Sequence, residues 1–98
     1  MALTRDQIRF LRGRSHNLRP QVMIGDKGLS DTVMTEIERA LADHELIKVK
    51  IRADRTRRPA IIDRIGMHTG AELVQSIGQT ASFYRRNETN PSMDLPCN

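Results

Sequence analysis

The sequence predicts a single α/β domain whose helices and strands follow in the order α-β-α-β-α-β-β. Three observations carry that reading. The chain has 98 residues, room for one small domain. Apolar residues recur at helical spacing in three stretches and at strand spacing between them. Near the end, Gly78-Gln79-Thr80 separates two short strand-like runs, as in a hairpin. Two strand–helix–strand units are expected as right-handed crossovers, with antiparallel pairing from the hairpin, giving a sheet of about four strands.

The first helix starts at a capping box, Thr4 with Gln7, after Leu3. Ile8, Phe10 and Leu11 form its apolar stripe, and Arg5, Arg9 and Arg12 lie on its other faces. Gly13 to Asn17 is expected to end it, with Pro20 blocking further helix. Gln21 to Ile24 reads as a short buried strand. Gly25-Asp26-Lys27-Gly28 is a Gly-x-x-Gly loop, after which Ser30 caps a second helix. Val33, Met34, Ile37, Ala40 and Leu41 carry that helix to about Ala42, and Asp43 and His44 break it.

Leu46 to Arg52 alternates, with Ile47, Val49 and Ile51 on one face and Lys48, Lys50 and Arg52 on the other. Asp54 to Arg58 is a basic loop. Pro59 fits the first turn of a third helix, whose apolar side is Ile61, Ile62, Ile65 and Met67, and Gly70 caps its end. Gly66 inside that helix suggests a close contact. Ala71 to Ile77 and Ala81 to Arg86 form the hairpin strands. The domain is expected over residues 1–86, and the polar segment 87–98, with Pro91 and Pro96, as a disordered tail.

Charge points to polyanion partners. Lys plus Arg number 16 against 12 Asp plus Glu, net +4, and the excess is clustered. Arg5, Arg9, Arg12, Arg14, Arg19 and Lys27 face only Asp6 and Asp26 in the first 28 residues. Arg55, Arg57, Arg58 and Arg64 face Asp54 and Asp63. The middle helix, with Asp31, Glu36, Glu38, Asp43 and Glu45, is acidic. A single cysteine, Cys97, excludes a disulfide or thiolate metal site within one chain. No apolar leader or membrane-length run is present, so a cytoplasmic protein away from membranes is expected. Phe10, Phe83 and Tyr84 are too few aromatics for a strand surface that stacks several bases.

Two readings of the Gly25–Gly28 loop stand side by side. It is a turn joining strand to helix, or a clamp in which missing Cβ atoms let a phosphate backbone come close, helped by Lys27 and the next helix's N-terminus. It is too short for a Walker loop, and it lacks the third glycine and acidic ribose ligand of a dinucleotide fold. Lys48, Lys50 and Arg52 cover the wet face of a sheet or contact phosphates in a row. Arg55, Arg57 and Arg58 are a solvated loop or part of the same surface. His16, His44 and His68 share no element, which leaves metal binding without a motif. Ser15, Ser30, Ser76 and Ser82 lack an elbow or oxyanion pattern. No catalysis, cofactor or metal is expected.

Several stretches, in order over roughly residues 3–86, resemble the CRM-domain (YhbY-like) RNA-binding proteins. They are Leu11-Arg12-Gly13-Arg14-Ser15-His16-Asn17-Leu18-Arg19-Pro20, then Val22 through Leu29, then His44-Glu45-Leu46-Ile47-Lys48-Val49-Lys50-Ile51. Thr69-Gly70-Ala71, Ile77-Gly78 and Tyr84-Arg85 complete the pattern. The resemblance implies a mixed four-stranded sheet with packed helices, similar to the C-terminal domain of the third bacterial initiation factor. It implies binding to structured RNA and association with precursors of the large ribosomal subunit. It maps the family's loop onto Gly25, Asp26, Lys27 and Gly28, and its basic segment onto Arg12, Arg14, His16 and Arg19. Its basic strand falls on Lys48 and Lys50, and its closing Tyr-Arg on Tyr84 and Arg85. Ala81-Ser82-Phe83 departs from the larger aliphatics usual there, and Asp26 places a negative charge inside the loop.

The expected function is therefore an RNA-binding protein, a monomer, in ribosome assembly. Its contacts are expected from Arg12, Arg14, His16, Arg19, Gly25, Asp26, Lys27, Gly28, Lys48, Lys50, Arg57, Arg58 and Arg85. The alternative is a protein-interaction adaptor in ribosome assembly or translation that uses the acidic middle helix and the tail.

Overall fold

Seven elements follow in the predicted order in a computed structural model that describes residues 3–89, 91, 95 and 96. They are α1 (Arg5–His16), β1 (Val22–Ile24), α2 (Asp31–His44), β2 (Leu46–Ile51), α3 (Arg58–Thr69), β3 (Glu72–Ile77) and β4 (Thr80–Tyr84). The four strands form one mixed sheet in the order β1-β2-β4-β3. β1 runs parallel to β2, and β4 is antiparallel to both β2 and β3. The last strand is thus inserted between the two strands that α3 connects, which local periodicity does not reveal.

Strand parity divides the core in two. Ile47, Val49 and Ile51 join Val22, Ile24, Ala81 and Phe83 on one face, where Ile37 and Leu41 of α2 and Ile61 and Ile65 of α3 cover them. Leu46, Val74 and Tyr84 lie on the opposite face, under Leu11 of α1, with Leu3, Phe10 and Leu18 around them. The sheet is therefore sandwiched between α1 on one side and α2 with α3 on the other. Ser82 faces α1, and its hydroxyl is hydrogen-bonded to that of Ser15, both groups being buried. The resemblance implied a larger aliphatic here; the buried Ser82 hydroxyl instead finds its partner in Ser15.

The capping box at Thr4 and Gln7 is present in both directions. α1 runs through Gly13 to His16 and is capped at Asn17, inside the Gly13–Asn17 stretch expected to end it, with Ser15 and Leu18 docked on the sheet. Ile8 leaves the packed stripe and instead lines a groove with Arg5, Arg9 and Arg12. α2 runs past Ala42 to His44 and stops at Glu45, whose φ of 63° turns the chain into β2. Met67 is not part of the apolar side of α3; it is 88% exposed. A Cβ on Gly66 would meet the Ala71 carbonyl oxygen at 3.5 Å, ordinary contact, so no close approach requires that glycine.

The segment expected as a tail contacts the domain at Asn87, Leu95 and Pro96. The Asn87 N–H donates to the Glu45 carboxylate at 2.6 Å, its side-chain amide donates to the Ala42 carbonyl, and Leu95 packs against the cluster under α1. The Pro96 carbonyl accepts from Gln7. Residues 90, 92–94, 97 and 98, Cys97 included, lie outside the described residues. Among the described residues, no helix is long and apolar enough to cross a membrane.

Candidate nucleic-acid interface

The register of β1 on β2 fixes where the loops meet. Val22 pairs with Val49, Met23 with Lys50 and Ile24 with Ile51, so both strands end at the same edge. The chain then leaves β1 through Gly25–Ser30 and β2 through Arg52–Arg57. The Arg52 N–H, donating to the Ile24 carbonyl at 2.9 Å, ties these two exits together. The hairpin turn joins them, because the Ile51 N–H donates to the Gln79 carbonyl at 2.6 Å. Three loops thus converge at the C-terminal ends of a parallel pair, the edge where α/β sheets hold ligands.

The two glycines of the first loop do different work. Gly28 has a φ of 78°, the left-handed region that disfavours any Cβ, and its N–H donates to the Gly25 carbonyl to close the turn. Gly25 has no such backbone demand, and a Cβ there would meet nothing within 4 Å. The turn explains Gly28; neither the backbone nor the surroundings require glycine at position 25, which faces open space. A Cβ on Gly28 would lie 3.6 Å from a guanidinium nitrogen of Arg57, so the two basic loops are adjacent. Arg57 and Lys27 therefore flank one turn.

The acids at this edge are partly spent internally. The Asp54 carboxylate accepts from the Thr56 hydroxyl at 2.7 Å and from the Arg57 N–H at 3.1 Å. These bonds hold its pKa below the usual value. Its charge serves the turn that starts α3, leaving Arg55 and Arg57 exposed. Arg58 donates to the Ala53 carbonyl and so braces this loop. The N-terminus of α2 is also occupied, by the Ser30 hydroxyl accepting from the Val33 N–H and by Asp31 in the first turn. This weakens the expectation that it faces a phosphate.

The second basic group lies on the α1 side of the sheet. Lys48 and Lys50 project there by alternation from the buried Ile47, Val49 and Ile51, and are half-buried. α1 ends beside them, since Ser15 bonds Ser82 and Ser82 pairs with Lys48. The end of α1 brings Arg14, over the Phe10 ring at 5.8 Å, and His16, with Arg19 following. Arg12 is partly committed, its Nε donating to the Val74 carbonyl at 3.1 Å.

Arg85 departs from the site. It follows β4 at the end where Tyr84 pairs with Leu46, the opposite end of β2 from the glycine loop. Its guanidinium donates to Glu38 at 2.8 Å and to the Thr69 carbonyl at 2.9 Å, tying α2 to α3. The sequence reading missed the closeness of Gln79 to the loops, which depends on β4 being inserted between β2 and β3. It also missed that Arg57, rather than Lys27 alone, stands over Gly28.

A family model described as the CRS1 / YhbY (CRM) domain matches residues 3–85. A Pseudomonas aeruginosa protein named a probable RNA-binding protein is 44% identical over 88 residues, covering 89% of this chain and 85% of its own. An RNA-binding protein of Haemophilus influenzae is 47% identical over 87 residues, covering 88% of each. The solution structure of a Staphylococcus aureus protein, for which RNA binding is also proposed, superposes with a TM-score of 0.82 at 32% identity. It covers 97% of this chain and 100% of that one.

Proposed function

The chain belongs to the CRS1 / YhbY (CRM) domain family, and from that premise we propose that it is a non-catalytic RNA-binding protein. Its target is structured ribosomal RNA in precursors of the large ribosomal subunit, in the cytoplasm. The observation that carries RNA binding is the meeting of Gly25–Gly28 with Arg57 at the sheet edge that also ends Lys50's strand. A turn whose two end residues lack a Cβ, with Lys27 inside it and Arg57 beside it, accepts a phosphate backbone and offers no pocket for a base. Lys48, Lys50, Arg14 and Arg19 extend the positive surface around the sheet edge, with the His16 imidazole among them as a hydrogen-bonding group. The choice of the ribosomal precursor follows the family resemblance.

Salt dependence tests the reading. With about five phosphate contacts, affinity falls on the order of a hundred-fold or more between roughly 50 and 200 mM salt. Lys48→Glu/Lys50→Glu removes two of these cations, so the logarithmic salt slope falls by roughly 1.5. Unchanged affinity and slope in that variant would refute it. The rival adaptor reading predicts that association with ribosomal particles survives ribonuclease; the RNA reading predicts its loss.

A further inference from the structure

One row of side chains crosses all four strands on the face toward α1, beyond the end of that helix. Met23 pairs with Lys50, Lys50 with Thr80, and Thr80 with Ile77. Two residues back along β2 and two on along β4, Ser82 is covered by Ser15, and beyond it Leu46 and Tyr84 are covered by Leu11. The row itself has no such cover: Met23 is 53% and Ile77 60% exposed. The described tail residues do not fill it, because they pack at Gln7 and the Leu11 cluster.

We propose that this uncovered row is a platform for unpaired nucleotides of the bound RNA, with base faces on Met23 and Ile77 and Lys50 between them. The inference rests on the RNA-binding reading. The row begins two residues before Gly25 and ends beside the Gly78-Gln79 turn, so it is continuous with the glycine-loop edge. On its other side stand Lys48 and the basic end of α1. A strand leaving the glycine loop for those cations must pass over it. Four strands span about 14 Å, room for about two bases side by side. A duplex would present only phosphates and riboses here, leaving a thioether and an isoleucine against polar groups. Unpaired bases offer apolar faces that remove both side chains from water. With no aromatic ring in the row, the contact is aliphatic and tolerant of sequence.

Binding by the full chain to two RNAs tests this: a blunt duplex, and the same duplex with a short single-stranded extension carrying 2-aminopurine. The protein is expected to prefer the extended RNA and to change the probe's emission. Met23→Ser/Ile77→Ser, both at exposed positions, is expected to weaken the extended RNA by about five- to tenfold and to leave the blunt duplex unchanged. Equal affinity of the unaltered protein for both RNAs overturns the platform, whatever the variant does. Equal losses on both RNAs, or none on either, also overturn it. So does a concentration-dependent dimer that the double variant abolishes, which would assign the row to a second copy. Failure to bind either RNA would instead bring down the RNA-binding reading itself.

Discussion

Replacing Gly25 and Gly28 separately distinguishes a loop that is merely a turn from one that clamps a backbone. Gly28 sits at φ 78°, and a side chain there costs about 1–2 kcal/mol in the left-handed region. For a domain of this length that lowers the melting temperature by roughly 4–16 °C for Gly28→Ala. Gly28→Asn, which tolerates the conformation better, should lose less. Gly25 has no positive φ, and its new Cβ would stand in open space. Gly25→Ala is expected to be neutral or stabilising by up to about 1 kcal/mol, through reduced freedom of the unfolded chain. The effects on RNA are reversed. Gly25→Asp should keep its melting temperature and lose RNA affinity, because a carboxylate would stand where a phosphate approaches. For every phosphate it drives away, the logarithmic salt slope falls by about 0.7–0.9. Thermal unfolding by circular dichroism and RNA binding by fluorescence anisotropy at two salt concentrations read the two effects independently. An unchanged affinity in Gly25→Asp would return the loop to a plain turn. An unchanged melting temperature in Gly28→Ala would refute the backbone argument.

Arg85→Met removes the bonds to Glu38 and Thr69; with both charged side chains partly exposed it should cost about 1 kcal/mol in urea unfolding. RNA affinity should not change. Ser82→Ala leaves the Ser15 hydroxyl buried without its partner and should cost about 1–3 kcal/mol, whereas Ser15→Ala/Ser82→Ala should recover part of that loss. Burial, and then the Glu45 charge, raise the Tyr84 pKa above its ordinary 10.0. The neutral phenol is therefore favoured by folding: its stability contribution is intact below pH 10.0 and is lost as pH rises through the folded value. Tyr84→Phe should flatten that alkaline loss in stability measured against pH.

The elements were legible because each is locally consistent. The Thr4–Gln7 box, the Ser30 cap, the alternation of Leu46–Ile51 and the glycine at position 70 name their own structures. Ends were less legible, as where α2 runs past Ala42 to His44 and turns only at Glu45. The glycine loop was readable as a candidate; that only Gly28 is demanded by the backbone was not, because φ and the open space at Gly25 depend on three dimensions. The place of Arg85 was hidden for a related reason. Its neighbours in sequence are the family's closing residues, but its ion pair with Glu38 spans the α2–α3 side, and no local pattern announces that.

Charge count alone overstates the interface, since pairing withdraws some cations and parity places the others. Arg85 is held by Glu38, and Arg12 and Arg58 each donate to a backbone carbonyl. These bonds fix their guanidiniums in the fold. The cations without such a bond divide by geometry: Lys27 and Arg57 stand at the sheet edge, and Lys48 and Lys50 on the face half-covered by α1. A flat ligand reaching only the loop edge would leave the two lysines unused. One reaching only the α1 face would leave Lys27 and Arg57 unused. RNA that turns around the ends of β1 and β2 meets both sets, and unpaired nucleotides bend around such an edge more readily than a duplex. The exposed Met23–Ile77 row lies along that path. The same geometry that joins the two basic groups thus favours a junction between paired and unpaired RNA over a continuous helix.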